Sequence, residues 1–242
     1  MGLNSPISGD ESQVEQQALD FARANKKAIA SRLTDPGTFV PEAEPVSVFM
    51  AGSPGAGKTE ASIELINSFP GAPIIRIDPD ELRSEFPGYR GDNAWLFQKA
   101  VSVFVDRIHD LALNQLQSFV LDGTLSNYDR ALKNIGRSLK RGRTVQILYV
   151  YQDPMLAWAF VQAREAIEGR RIRPEHFVEQ YFAARDVVNR LKIELGRAIR
   201  VDLLMKNNDN SHRFYRAGVD QIDSHIPERV TRGDLEQRLG SG

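Results

Sequence analysis

Eight consecutive residues, Gly52-Ser53-Pro54-Gly55-Ala56-Gly57-Lys58-Thr59, fit the spacing G-x-x-x-x-G-K-[ST]. Each residue type has a task at its place. The glycines let the backbone curl so that successive N–H groups face one anion, Lys58 brings a mobile positive charge to β- and γ-phosphates, and the Thr59 hydroxyl suits Mg²⁺. An apolar run, residues 46–51, precedes the loop and a helix-like stretch, residues 60–69, follows it. That context gives the spacing its physical meaning, because a helix N-terminus adds its own attraction for anions. The chemistry implied is the binding of ATP or GTP with Mg²⁺.

Acids and cations elsewhere decide what such a phosphate would be used for. Residues Arg76-Ile77-Asp78-Pro79-Asp80-Glu81 follow an apolar run. Proline holds the residue before it extended and itself suits the first helical position, so Asp78 reads as an N-cap with Glu81 completing a capping box. Asp80 then falls in the first turn. It is either a general base for an incoming hydroxyl or an exposed acid favoured by the helix dipole, and local sequence leaves both open. Asp122 ends the run Phe119-Val120-Leu121 and takes the metal-side position, with Gly123 leaving room and Thr124 adding a hydroxyl. Ser126 or Asn127 reads as the cap of the next helix, and Asp153-Pro154 as the cap of another. Arg164, Arg170, Arg171 and Arg173 surround a helix break between Gly169 and Pro174. They form either a cationic lid over the transferring phosphoryl group or a solvated helix end. Lys140, Arg141 and Arg143 read as solvated turn charges.

The elements that must position these groups follow from periodicity. Branched, apolar runs at 46–51, 73–77, 118–121, 145–151 and 199–205 alternate with helical patterns, which predicts an α/β fold with a parallel sheet covered by helices on both faces. Ligands in such sheets bind at the carboxyl ends of the strands, so the polar residues just past each apolar run, the phosphate loop, Asp80, Asp122 and Thr124 among them, are the ones that matter. A charged helix over 11–33 and a proline-rich linker over 34–45 predict an N-terminal appendage, residues 1–44, before the main domain, 45–242. In the helix before Asp122, Phe97, Val101, Phe104, Ile108 and Leu111 form the apolar stripe and Asp106 lies on the far side.

Composition narrows the partners. The 242 residues carry 31 basic and 32 acidic side chains, a formal net charge of −1, so no overall field draws nucleic acid or an anionic membrane. There is no cysteine, which excludes disulfides, thiolate metal sites and cysteine nucleophiles. No stretch reads as a secretory leader or a membrane span, so a cytoplasmic protein is expected.

Taken together, GSPGAGKT from Gly52, IDPD from Ile77, LDGT from Leu121, YQDP from Tyr151, QAREAIEGRRIRPE from Gln162 and MKNND from Met205 resemble the zeta toxins over residues 46–208. Members of that family are P-loop kinases of toxin–antitoxin systems that phosphorylate UDP-N-acetylglucosamine on a sugar hydroxyl. The resemblance implies that Asp80 is the catalytic base, that Arg164 and Arg171 contact the phosphates, and that Asp106 stands where the family has a glutamate in the sugar-nucleotide pocket beside Thr124. It also implies a UDP-sugar substrate and an antitoxin partner. One departure bears on the substrate: the family's best-known members continue the GT pair with glycine and arginine, whereas this chain has Leu125 and Ser126. A kinase for another small molecule, such as an antibiotic or a nucleoside, and a nucleotide-hydrolysing regulatory module are the alternatives.

Overall fold

A computed structural model describes residues 9–69, 71, 73–168, 172–209, 211–227 and 230–240. Its centre is a six-stranded sheet in the order β2-β3-β1-β4-β5-β6. The strands are β1 (Val46–Ala51), β2 (Ile75–Ile77), β3 (Phe119–Leu121), β4 (Thr144–Tyr151), β5 (Arg200–Lys206) and β6 (His212–Arg216). All pairings are parallel except that of β5 with β6, which is antiparallel. The α/β expectation and its parallel sheet are therefore observed, with strand limits within two residues of those read from the apolar runs. β6 was not anticipated, because its five residues are all exposed and carry no apolar run. It is held as an edge by backbone pairing to β5.

Alternation along β1 shows why both faces are covered. Phe49 and Ala51 enter one core cluster, and Val48 and Met50 enter another on the opposite face. The second cluster is closed by α2 (Lys58–Asn67) through Ala61, Leu65 and Ile66. The first is closed by α1 (Gly9–Leu33), α3 (Gln98–Asn114), α4 (Tyr128–Leu139) and α6 (Pro174–Leu195). A third cluster joins α5 (Pro154–Glu168), α6 and α7 (Arg232–Gly240) through Ala157, Val161, Phe177 and Leu235.

The N-terminal helix packs closely on α3. Ala18, Ala22, Ile29 and Ala30 are its buried residues, three of them small, and Phe21 meets Phe86 and Phe104 in the main core. Beyond its end, Gln117 donates to Thr34 O (2.9 Å) and Phe39 O (2.6 Å), which anchors the linker beside β3.

Between β3 and β1 on one side and β4 on the other, the chain crosses from one half of the sheet to the other. In sheets of this kind such a crossing marks the place where ligands bind, and here it falls at the carboxyl end of β1, where residues 52–57 begin.

Candidate active site

At the end of β1 the chain turns through Gly52 at φ 134° and Gly55 at φ 72°, conformations that side chains disfavour. Space as well as conformation requires glycine there. A Cβ on Gly52 would lie 2.3 Å from Val150 O of β4, and one on Gly55 would lie 2.1 Å from Ala157 O of α5. The loop is thus pressed between β4 and α5, and Gly52 N also donates to Thr124 O (3.2 Å), tying it to the segment after β3. Gly57 precedes α2 as its N-cap and supplies no side-chain cap, so the first N–H groups of the helix are left for an anion. Lys58 Nζ donates to Ser53 O (2.6 Å), holding the ammonium over the loop.

The acids gather beside this loop around one guanidinium. Arg76 of β2 donates from Nε to Ser62 Oγ of α2 (2.9 Å), and from one terminal nitrogen to Asp122 Oδ2 (2.7 Å) and Asp78 Oδ2 (2.5 Å). Its other terminal nitrogen donates to Glu81 Oε1 (2.5 Å). The Ser62 hydroxyl faces both Thr59 O (2.8 Å) and Asp122 Oδ2 (2.9 Å). Three carboxylates in one place hold the Arg76 pKa above its ordinary value despite burial.

Asp78 corrects an expectation. It does not form a capping box: Glu81 turns to Arg76, and Asp78 Oδ1 instead accepts the Asp80 N–H (2.7 Å), an Asx-type turn. The helix expected after it shrinks to a 3-10 turn, Glu81–Glu85, because Phe86 is extended before Pro87. Burial first, then the neighbouring Asp122 and Asp80, push the Asp78 pKa up to about 6, against the pull of Arg76 and the Asp80 N–H.

Asp80 itself is partly exposed and ion-paired with Arg83, whose buried side chain also donates to Gln98 Oε1 at the start of α3 (2.9 Å). Arg83 thus roots the candidate base in the body of the fold. Sequence reading passed over Arg76, Ser62 and Arg83. For Arg83 there was a signal, its position three residues after Asp80 in a turn; for Arg76 there was a charged residue between two branched ones in a short strand.

Asp122 is buried at the end of β3, and its Oδ1 accepts no hydrogen bond among the described residues. A carboxylate oxygen, the Thr59 hydroxyl, phosphate oxygens and water make a hard oxygen set that fits Mg²⁺. Thr124 Oγ1 meets Ser126 Oγ at 2.9 Å, and Leu125 between them takes φ 54°, the left-handed region that favours glycine. The cap of α4 is Asn127, which accepts from Arg130 N (2.9 Å), and Asp153 caps α5 through Met155 N and Leu156 N, both at 2.9 Å.

Arg164 lies exposed on α5. With Ala157 and Val161 it occupies the spacing i, i+4, i+7, so it extends the helix stripe that packs on Gly55, about 10 Å further along the axis. Arg170 and Arg171 lie outside the described residues, and Arg173 is extended ahead of Pro174, which opens α6 as expected. Asp106 is on the surface shared by α3 and α4, 3.7 Å from Arg137, a residue that also binds Asp110. Nothing among the described contacts joins Asp106 to the phosphate loop, Asp80 or Asp122.

Arg143 corrects a second expectation. It is buried at the amino end of the sheet, where it donates to Ser47 Oγ (2.8 Å), Gln117 O (2.6 Å) and Val46 O (3.2 Å) and stacks over Phe119. The basic turn before β4 is therefore only partly solvated.

Among the described residues, no helix is long and apolar enough to cross a membrane. Comparison with known proteins adds the family. The zeta toxin family profile matches residues 30–220. A structure from the PezAT chromosomal toxin–antitoxin system of Streptococcus pneumoniae superposes with a TM-score of 0.62 at 17% identity, covering 98% of this chain and 90% of that one. The AvrRxo1-ORF1:AvrRxo1-ORF2 complex with ATP gives a TM-score of 0.54 at 16% identity, covering 94% and 71%. The same complex with sulphate ions gives 0.56 at 16% identity, covering 88% and 70%. At these identities the structures establish the shared fold. A search of curated protein sequences found no match.

Proposed function

The chain belongs to the zeta toxin family of P-loop kinases, and from that premise we propose that it transfers the γ-phosphate of ATP or GTP to a sugar hydroxyl of a UDP-N-acetylglucosamine-like sugar nucleotide. The observation that carries this reading is the chain of contacts from Ser62 and Asp122 through Arg76 and Asp78 to Asp80. It supports Asp80 as the acid that acts on the hydroxyl, because Asp80 is tied to Asp122 at the same carboxyl edge of the sheet as the phosphate loop.

In this mechanism the loop from Gly52 to Thr59 grips the phosphate tail through its N–H groups, with Lys58 on the β- and γ-phosphates. Thr59 and Asp122 would hold Mg²⁺, which neutralises charge on the phosphates. Asp80 takes the proton of the acceptor hydroxyl, whose oxygen attacks the γ-phosphorus in line as the bond to the β–γ bridging oxygen breaks. Arg164 and Arg171 close over the transferring group and stabilise its spreading charge. Thr124 and Asp106 are assigned to the sugar nucleotide.

An antitoxin partner is part of the same reading, supported by the toxin–antitoxin origin of the PezAT structure. The reaction is assigned to the cytoplasm, where the nucleotides are.

One observation favours a second reading, a kinase for another small molecule. Leu125 and Ser126 stand where the best-known family members carry glycine and arginine, and Leu125 keeps the glycine-like backbone without the arginine. Incubation with γ-labelled ATP and GTP and a panel of UDP-sugars tests both. Label on a UDP-sugar supports the first reading, label on another alcohol alone supports the second, and labelled inorganic phosphate alone rejects a kinase.

A further inference from the structure

Arg76 is the point at which the nucleotide side and the acceptor side of the site meet. It starts on the edge strand β2, yet its guanidinium binds α2 through Ser62, the end of β3 through Asp122, and the turn after β2 through Asp78 and Glu81. The side chain is only 12% exposed. A guanidinium is planar and rigid, so groups on its separate donors are fixed relative to one another as well as to the arginine. Two limbs leave it. In one, Asp122 Oδ2 is held by Arg76 and Ser62, which fixes the rotation of the carboxylate assigned to the metal and leaves Oδ1 without a hydrogen bond among the described residues. In the other, Asp78 is held through Oδ2 and uses Oδ1 to accept the Asp80 N–H, which fixes the backbone carrying the candidate base.

We propose that Arg76 is a positioning residue that sets where Asp80 stands relative to Asp122, and so couples the metal-bearing side of the nucleotide site to deprotonation of the acceptor hydroxyl. The proposal rests on the kinase reading above. It differs from plain charge neutralisation of two buried acids, which any cation of similar length would perform. A lysine keeps the charge and loses the fork, because one ammonium cannot span Ser62, Asp122, Asp78 and Glu81 together.

Arg76→Lys and Asp78→Ala separate the two limbs. The measurements are thermal midpoint, binding of a fluorescent ATP analogue with Mg²⁺ and with EDTA, and phosphate transfer. For Arg76→Lys the expectation is a folded protein that binds the analogue in EDTA as the unmodified chain does. Its tightening by Mg²⁺ should fall, and its kcat should drop by about 10- to 100-fold, the cost of a misplacement of about 1 Å. For Asp78→Ala, kcat should fall while the Mg²⁺ effect on binding stays. Full recovery of both readouts in Arg76→Lys overturns the proposal, as does a lowered thermal midpoint with both readouts unchanged. Loss of the Mg²⁺ effect in Asp78→Ala with kcat unchanged overturns it too. If the unmodified chain transfers no phosphate to any alcohol, the kinase reading fails instead. The binding measurements then judge Arg76 alone: unchanged tightening by Mg²⁺ in Arg76→Lys overturns the proposal.

Discussion

Two arginines largely withdrawn from solvent stand at opposite ends of the sheet, and they are held there for different reasons. Arg76, at the carboxyl end, is surrounded by Asp78, Glu81 and Asp122, which keep its charge more strongly than in water. Arg143, at the amino end, meets backbone carbonyls, the Ser47 hydroxyl and the Phe119 ring, and burial pushes its pKa down to about 10. The Ser47 hydroxyl and two carbonyls satisfy Nε and one terminal nitrogen, while the other terminal nitrogen finds no hydrogen-bond partner among the described residues, and no carboxylate touches the group. One arginine therefore organises acids at the edge where a charged ligand would arrive. The other closes the starts of β1, β3 and β4. The difference teaches that burial of a charged residue does not by itself mark a site; the charge of its partners does.

The comparison can be broken or sharpened by substitution. The largest effect belongs to the carboxyl end. Asp80→Asn should lower phosphate transfer by about 10²-fold or more while nucleotide binding persists, the scale of a general base, and an unchanged rate would remove Asp80 from that role. Lys58→Ala, by contrast, should weaken nucleotide binding and turnover together.

Next comes the amino end. Arg143→Met should destabilise the fold by about 2–4 kcal/mol in denaturant unfolding, since it strands Val46 O and Gln117 O, and leave kcat of the surviving folded protein unchanged. A loss of activity without loss of stability would dissolve the contrast between the two arginines.

His109, also at the amino end, supplies a pH test. It is fully buried against Phe49 and Phe119, and burial, with Arg137, Arg143 and Arg141, lowers its pKa from 6.5 to about 3. A depressed histidine favours the folded state most above the unfolded pKa. Its contribution is lost as pH falls from about 6.5 towards 3, at up to about 1.4 kcal/mol per pH unit. His109→Phe should flatten the fall of the thermal midpoint over that range. An identical pH profile in both proteins would count against a buried neutral imidazole.

The smallest effect on stability is expected on the α3–α4 surface. Asp106→Ala removes an exposed pairing with Arg137 and should cost less than about 1 kcal/mol. If Asp106 serves the sugar nucleotide, the same variant raises KM for that substrate and not for ATP; equal KM values for both would return it to the surface.

Legibility followed the range of the interactions. The order of strands and helices could be read because apolar periodicity is written residue by residue, and β6 could not, because an exposed edge takes its shape from its neighbour's backbone. Asn127 and Asp153 were readable as caps because a cap bonds two or three residues ahead in its own chain segment. Asp78 was misread because its environment is set by Arg76 and Asp122, the latter 44 positions away along the chain. Arg143 was misread because a turn before a strand looks solvated until Gln117 and Phe119 are folded against it.

By itself, then, the order of residues determined the phosphate loop. Its chemistry uses main-chain N–H groups, and glycines at 52, 55 and 57 decide locally whether those groups can converge. Only the tertiary structure decided which acids share a guanidinium and which arginine is merely a hub for carbonyls. Those relations depend on distances between segments far apart in the chain, which close only when the sheet has formed.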